Sequence, residues 1–105
     1  MELLDGLVTV YRADGARQVV SACFQWEDRK EESPEGEQLF RKAKLFVTGE
    51  DYFPQIGDRV LAGVGPETVD WETFLPVTVA GLCQIQWVRP YYLGGELHHV
   101  EAGSE

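Results

Sequence analysis

Few bases, few cysteines and no long apolar run mark this chain, and each scarcity removes a class of function. No apolar stretch approaches the roughly 20 residues that a membrane-crossing helix needs. Nine Lys and Arg stand against eighteen Asp and Glu, giving a net charge of −9 and a pI near 4.6. Nucleic-acid binders draw affinity from clustered cations that displace counterions from phosphates, so tight nucleic-acid binding is disfavoured. The one local basic cluster, Arg41, Lys42 and Lys44, lies inside an apparent strand and reads as a solvated strand face. The N-terminus, Met1-Glu2-Leu3-Leu4-Asp5, carries acids where a signal peptide carries bases, which predicts an intracellular protein. Catalytic signatures are missing too: no HExxH or CxxC pair occurs, and Ser21, Ser33 and Ser104 lie in no nucleophile-elbow pattern. Cys23 and Cys83 each sit in an apolar run, where a free thiol behaves as a small buried hydrophobe. Whether they pair is open at this level.

What is present is a period of two. Val20, Ala22, Phe24 and Trp26 alternate with Ser21, Cys23 and Gln25. Leu39, Ala43, Leu45 and Val47 share a face, opposite Lys42 and Lys44. Val77, Val79, Cys83, Ile85 and Trp87 form a third such series, placing Trp26 and Trp87 inward. Alternation of this kind predicts half-buried strands. Leu7–Arg12, Arg59–Gly63 and Glu96–Glu101 complete a set of about six, separated by Gly, Pro and Asp turn signals. The expected fold is therefore all-β, a small single-domain barrel or sandwich spanning 1–105 with a flexible tail at 102–105. One helical turn near Val69–Phe74, capped by Asp70, is the sole helical candidate. The stretch 27–38 carries six acids (Glu27, Asp28, Glu31, Glu32, Glu35, Glu37) and two bases. With no large apolar residue before Leu39, it is expected as a long mobile loop between the second and third strands.

The polar groups offer little chemistry. Adjacent strand residues point to opposite faces, so His98 and His99 are not expected to grip one metal. Gly63-Val64-Gly65-Pro66 resembles a phosphate loop, but Pro66 removes an N–H donor where the cradle needs one. Asp51, Asp58 and Asp70 adjoin turns and are expected to hydrogen-bond local backbone. The acids at Glu31, Glu32, Glu35 and Glu37 lack the spacing and glycine of a calcium loop. No cofactor, metal, catalytic residue or small-molecule substrate is expected. The aromatics say more: Tyr52, Phe53, Trp71, Tyr91 and Tyr92 lie near loops or strand ends, where they would anchor a protein interface together with His98 and His99.

The order of these segments carries a resemblance. A strand with Cys23-Phe24-Gln25-Trp26-Glu27 precedes a polar loop, then Lys42-Ala43-Lys44-Leu45-Phe46-Val47 and the turn-strand Gly57-Asp58-Arg59-Val60-Leu61-Ala62-Gly63. Gln84-Ile85-Gln86-Trp87-Val88, a Gly-Gly turn and His98-His99-Val100-Glu101-Ala102-Gly103 follow. From Leu7 to Gly103 this layout resembles the small neck proteins encoded among the minor capsid genes of tailed phages and prophages. It is similar to head-closure (stopper) and head–tail adaptor proteins. The resemblance implies a β-barrel core and a ring of identical subunits in the virion, assembled in the host cytoplasm. It also implies contacts with neck proteins on the portal and tail sides, DNA passing through the ring, and no membrane. It implies further that the 27–38 loop gates the channel. The His98–Glu101 segment is expected to pair with a neighbouring subunit by strand addition. Two rival classes stand beside this reading: a free-standing β-barrel that captures a protein partner, and a small hydrolase or metal enzyme using His98 or His99.

Overall fold

The structure, a computed structural model, describes residues 2–34 and 36–104, with side chains at 2–5, 28–33 and 37–41 left out of the description. It is all-β. Among the described residues seven strands follow in order: β1 (Glu2–Tyr11), β2 (Arg17–Ser33), β3 (Gly36–Val47), β4 (Arg59–Ala62), β5 (Leu82–Gln84), β6 (Trp87–Leu93) and β7 (Glu96–Gly103). They form one sheet in the order β5-β4-β1-β2-β3-β7-β6, every neighbouring pair antiparallel. The two edge strands, β5 and β6, are consecutive in the chain, separated by Ile85 and Gln86. Ile85 N–H donates to Asp58 O (2.8 Å) on the β4 side, and Gln86 N–H donates to Gly103 O (2.7 Å) on the β7 side. The sheet thus curls until its two ends meet at a single bent segment. Counting β5 and β6 as one bent strand gives six, but that strand runs Leu82–Leu93 where one was expected at Val77–Trp87.

Alternation decides what faces inward. Val8, Val10, Val20, Ala22, Phe24, Ala43, Leu45, Val60, Cys83, Ile85, Val100 and Ala102 are buried together, contributed by six of the strands. Trp26 stacks on Phe24 (centroids 5.4 Å apart) at the margin of this core, in the inward position that its parity predicts. A second, smaller cluster lies on the outer face of the sheet. There Tyr11, Phe74 and Leu82 pack with Leu61, Val69, Trp71 and Val79, so the connection between β4 and β5 lies over the outer face rather than free in solvent. Arg59 fastens it. Its guanidinium lies 3.6 Å from the Trp71 ring centroid and donates to the carbonyls of Trp71 and Phe74, the latter at 2.8 Å.

Four expectations need correction. The tail expected at 102–105 is strand up to Gly103, with Ala102 fully buried and Ser104 N–H donating to Ala43 O at 3.0 Å. The stretch 27–38 is not a loop: β2 and β3 pair continuously from Cys23↔Phe46 to Ser33↔Gly36. From Glu27 on, these strands pair only with each other among the described residues. At the root of the ribbon the register favours pairing, since Glu27 falls opposite Lys42 and Asp28 opposite Arg41, while nearer its end Glu32 falls opposite Glu37 and adds nothing to the ladder. The predicted strand from Val77 breaks at its start. Thr78 and Val79 N–H both donate to Leu75 O in a turn, leaving Val77 89% exposed, and Gly81 adopts φ 80°. Trp87 faces outward, not inward. The two-residue link at Ile85–Gln86 changes the sheet neighbour, and Trp87 lies against the outer surface of Gly103. At Val69–Phe74 a single turn forms, with Asp70 Oδ1 accepting from Glu72 N–H at 3.2 Å.

Candidate functional site

The residues singled out from sequence occupy three separate places, and one of them is not on the surface. Tyr52, expected as an interface anchor, is only 4% exposed; its hydroxyl donates to Asp58 Oδ2 at 2.6 Å. Asp58 also accepts from Gln55 N–H (3.0 Å) and lies 3.3 Å from Arg12 Nε, so it ties a turn and a strand end together. Burial and the neighbouring Asp58 carboxylate push the Tyr52 phenol far above its ordinary pKa. This cluster is structural. Phe53 beside it is exposed, whereas Trp71 is half-buried beneath Arg59. Tyr92 and Leu93, 65% and 71% exposed, project at the tip of the β6–β7 hairpin, whose Gly94-Gly95 turn needs positive φ at both positions.

The histidines deviate from simple alternation. Tyr91 pairs with His99 but Tyr92 pairs with Leu97, so His98 is the extra residue of a β-bulge. The bulge turns both imidazoles toward one another, bringing His98 Nδ1 within 2.8 Å of His99 Nδ1. His99 stacks on Tyr91 (4.7 Å, 7° between planes), and its Nε2 lies 3.3 Å from Glu101 Oε2. Glu101 in turn pairs with Lys44 at 3.2 Å. Burial raises the Glu101 pKa, but hydrogen bonds from Lys44, His99 and Tyr91 and the Lys44 charge outweigh it, leaving a net downward shift. The imidazole nitrogens facing each other hold a hydrogen bond, and no group of three or more metal-ligating side chains occurs among the described residues. Strand addition along His98–Glu101 is corrected for its second half: Val100 and Glu101 already pair with β3 on one side and β6 on the other, whereas His98 and His99 have no ladder partner on the β3 side among the described residues. β6 is an edge strand, and on it Pro90 lacks a donor.

Of the six acids in 27–38, Glu27 is exposed at the root of the β2–β3 ribbon. Asp28, Glu31, Glu32 and Glu37 lie on its strands with side chains outside the described set, and Glu35 lies outside the described residues. Beyond Trp26, the seven residues Glu27–Ser33 extend about 23 Å at the usual rise per residue.

Sequence reasoning passed over a groove of about 460 Å³ across the outer face of β2, β3 and β6. Trp87 forms one side, with Arg89 Cζ 5.5 Å and Lys44 Nζ 5.9 Å from its ring centroid, and Lys42, Glu27 and Gln25 are among the other lining residues. The signal was available as alternation: Lys42 and Lys44, and Trp87 and Arg89, are i, i+2 pairs. Assigning Trp87 to the core hid it.

The curled antiparallel sheet defines an all-β, barrel-like class and nothing narrower. No family model, curated protein or solved structure matches the chain.

Proposed function

We propose that this protein is a non-enzymatic structural component of a tailed-phage or prophage head–tail connector, acting through ring assembly at the head-closure position. The observation that carries the reading is the two-stranded ribbon of 27–42, six acids against four bases with its outer part the more acidic, which reaches out from a small curled sheet. A loop of this composition would sweep a broad volume; a paired ribbon has direction. In a ring, such ribbons would line or cross the central passage, where fixed negative charge repels phosphate and keeps DNA from adhering. The long axis of 48 Å against a short axis of 21 Å suits a subunit that spans from rim to lumen. The exposed Phe53 and Tyr92 supply contact points for flanking rings.

The test is to delete Arg29–Glu35, closing β2 onto β3 with a two-residue turn, and assemble particles carrying the shortened chain. Incorporation with loss of packaged DNA is the expected result. Unchanged DNA retention defeats the gating role, and failure of the intact chain to enter particles defeats the connector reading. A second reading, a free-standing barrel that captures a protein partner, is favoured by the apolar tip of Tyr92 and Leu93. It predicts a stable monomer whose partner contact is lost in Tyr92→Ala.

A further inference from the structure

Six basic side chains fall among those described, and they divide cleanly. Arg12, Arg17 and Arg59 are each engaged by groups of the fold: Arg12 beside Asp58, Arg17 donating to the carbonyls of Gly65 (2.7 Å) and Pro66 (2.9 Å), and buried Arg59 over Trp71. Lys42, Lys44 and Arg89 instead converge on the single groove beside Trp87. Glu27 on the wall and Glu101 against Lys44 offset part of this charge, yet the groove remains net positive in a molecule of net charge −9. Trp87 is seated there by Gly103, where any side chain would collide with the indole and with the Ala43 carbonyl. An indole with cations on its flanks is a ready contact for an acidic, extended segment.

The same chain carries such a segment. In sequence Glu31 to Glu37 holds four acids and no base, and Glu31, Glu32 and Glu37 fall in the last ladder positions of the ribbon whose root forms the groove. From Glu27↔Lys42 to Ser33↔Gly36 is six residues, about 20 Å, and strand pairing keeps this end from folding back onto its own root. We infer that the groove receives the acidic ribbon end of a second copy of this chain. Groove and ribbon end are different surfaces, so the contact is heterologous: each copy offers a groove to one neighbour and a ribbon to the other, and a closing rotation gives a ring. Two copies of charge −9 repel, and local complementarity of this kind is what lets them approach in one register. The inference rests on the ring reading above and supplies its subunit contact.

Charge exchange tests it. One full-length variant reverses the groove (Lys42→Glu with Arg89→Glu); another reverses the ribbon (Glu31→Lys, Glu32→Lys and Glu37→Lys). Each alone sets like charges against each other, while an equimolar mixture restores complementarity at both contacts. In sedimentation at high protein concentration and low salt, wild type is expected to associate, and more weakly as salt is raised. Each variant alone should associate at least about tenfold more weakly, and the mixture should recover. Recovery in the mixture also demonstrates that both variants are folded. If wild type associates and the reversed chains associate equally well alone, or the mixture fails to recover, the groove–ribbon contact is wrong while the ring reading stands. If wild type stays monomeric in solution and enters no ring on particles, both fall.

Discussion

Tyr52 and Cys83 keep ionisable groups inside the barrel, and both hold their protons more tightly there than in water. Burial pushes the Cys83 thiol up to about 11, and burial with Asp58 raises the Tyr52 phenol further. Above the unfolded-state values, near 9 and 10, the unfolded chain releases protons that the folded chain retains, so stability falls as pH rises. Urea midpoints measured from pH 7 to 11 are expected to drop from about pH 9, with a shallower fall in Cys83→Ala and in Tyr52→Phe. Glu101 works at the other limb. Its lowered pKa adds stability above the unfolded value near 4.5, lost as pH falls below it; Glu101→Gln should flatten the acid limb of the same profile. Gly103 is the clearest single-atom constraint. A Cβ there meets backbone at Ala43 and the Trp87 ring, so Gly103→Ala is expected to cost about 1–3 kcal/mol and to shift the indole emission.

At the scale of elements, the segment between β4 and β5 has little regular structure and depends on side chains anchored elsewhere. Thr9 Oγ1 donates to Gly63 O (2.7 Å) and accepts from Gly65 N–H (2.8 Å), Tyr11 Oη donates to Pro66 O (2.7 Å), and Arg59 holds its far end. Arg59→Ala leaves two carbonyls without their cation and uncovers Trp71; it should cost about 2–3 kcal/mol. Limited proteolysis should then cut within 64–81 well before global unfolding. The β2–β3 ribbon is the opposite case. The described core lies on the barrel side of Glu27 and Lys42, so shortening the ribbon should leave thermal stability within a few degrees of wild type by calorimetry. The strands β1 to β4 and β7 were legible because a sheet with one buried face writes itself as alternation. The ribbon was misread because composition reports charge, whereas strand pairing depends on which charge lies opposite which. β6 was missed because Pro90 and two tyrosines read as a connection; an edge strand tolerates them.

For the whole molecule, the governing fact is that β5 and β6 are one stretch of chain with two different neighbours. Curling the sheet to meet at Ile85–Gln86 removes most of the free margin that would invite indiscriminate pairing, and leaves β6 guarded by Pro90. The groove, the bulge and the outer cluster all follow from that closure. The amino-acid order by itself determined the all-β class, the inward residues of β2 (Val20, Ala22, Phe24) and β3 (Ala43, Leu45, Val47) and the net negative charge, because these depend on local alternation and summed charge. Only the tertiary structure decided that Tyr52 is core, that Trp87 is outside, that His98 and His99 meet, and that three cations share a groove. Each of those depends on register and bulges between strands far apart in the chain, and a one-residue change in pairing moves a side chain from one face of a sheet to the other.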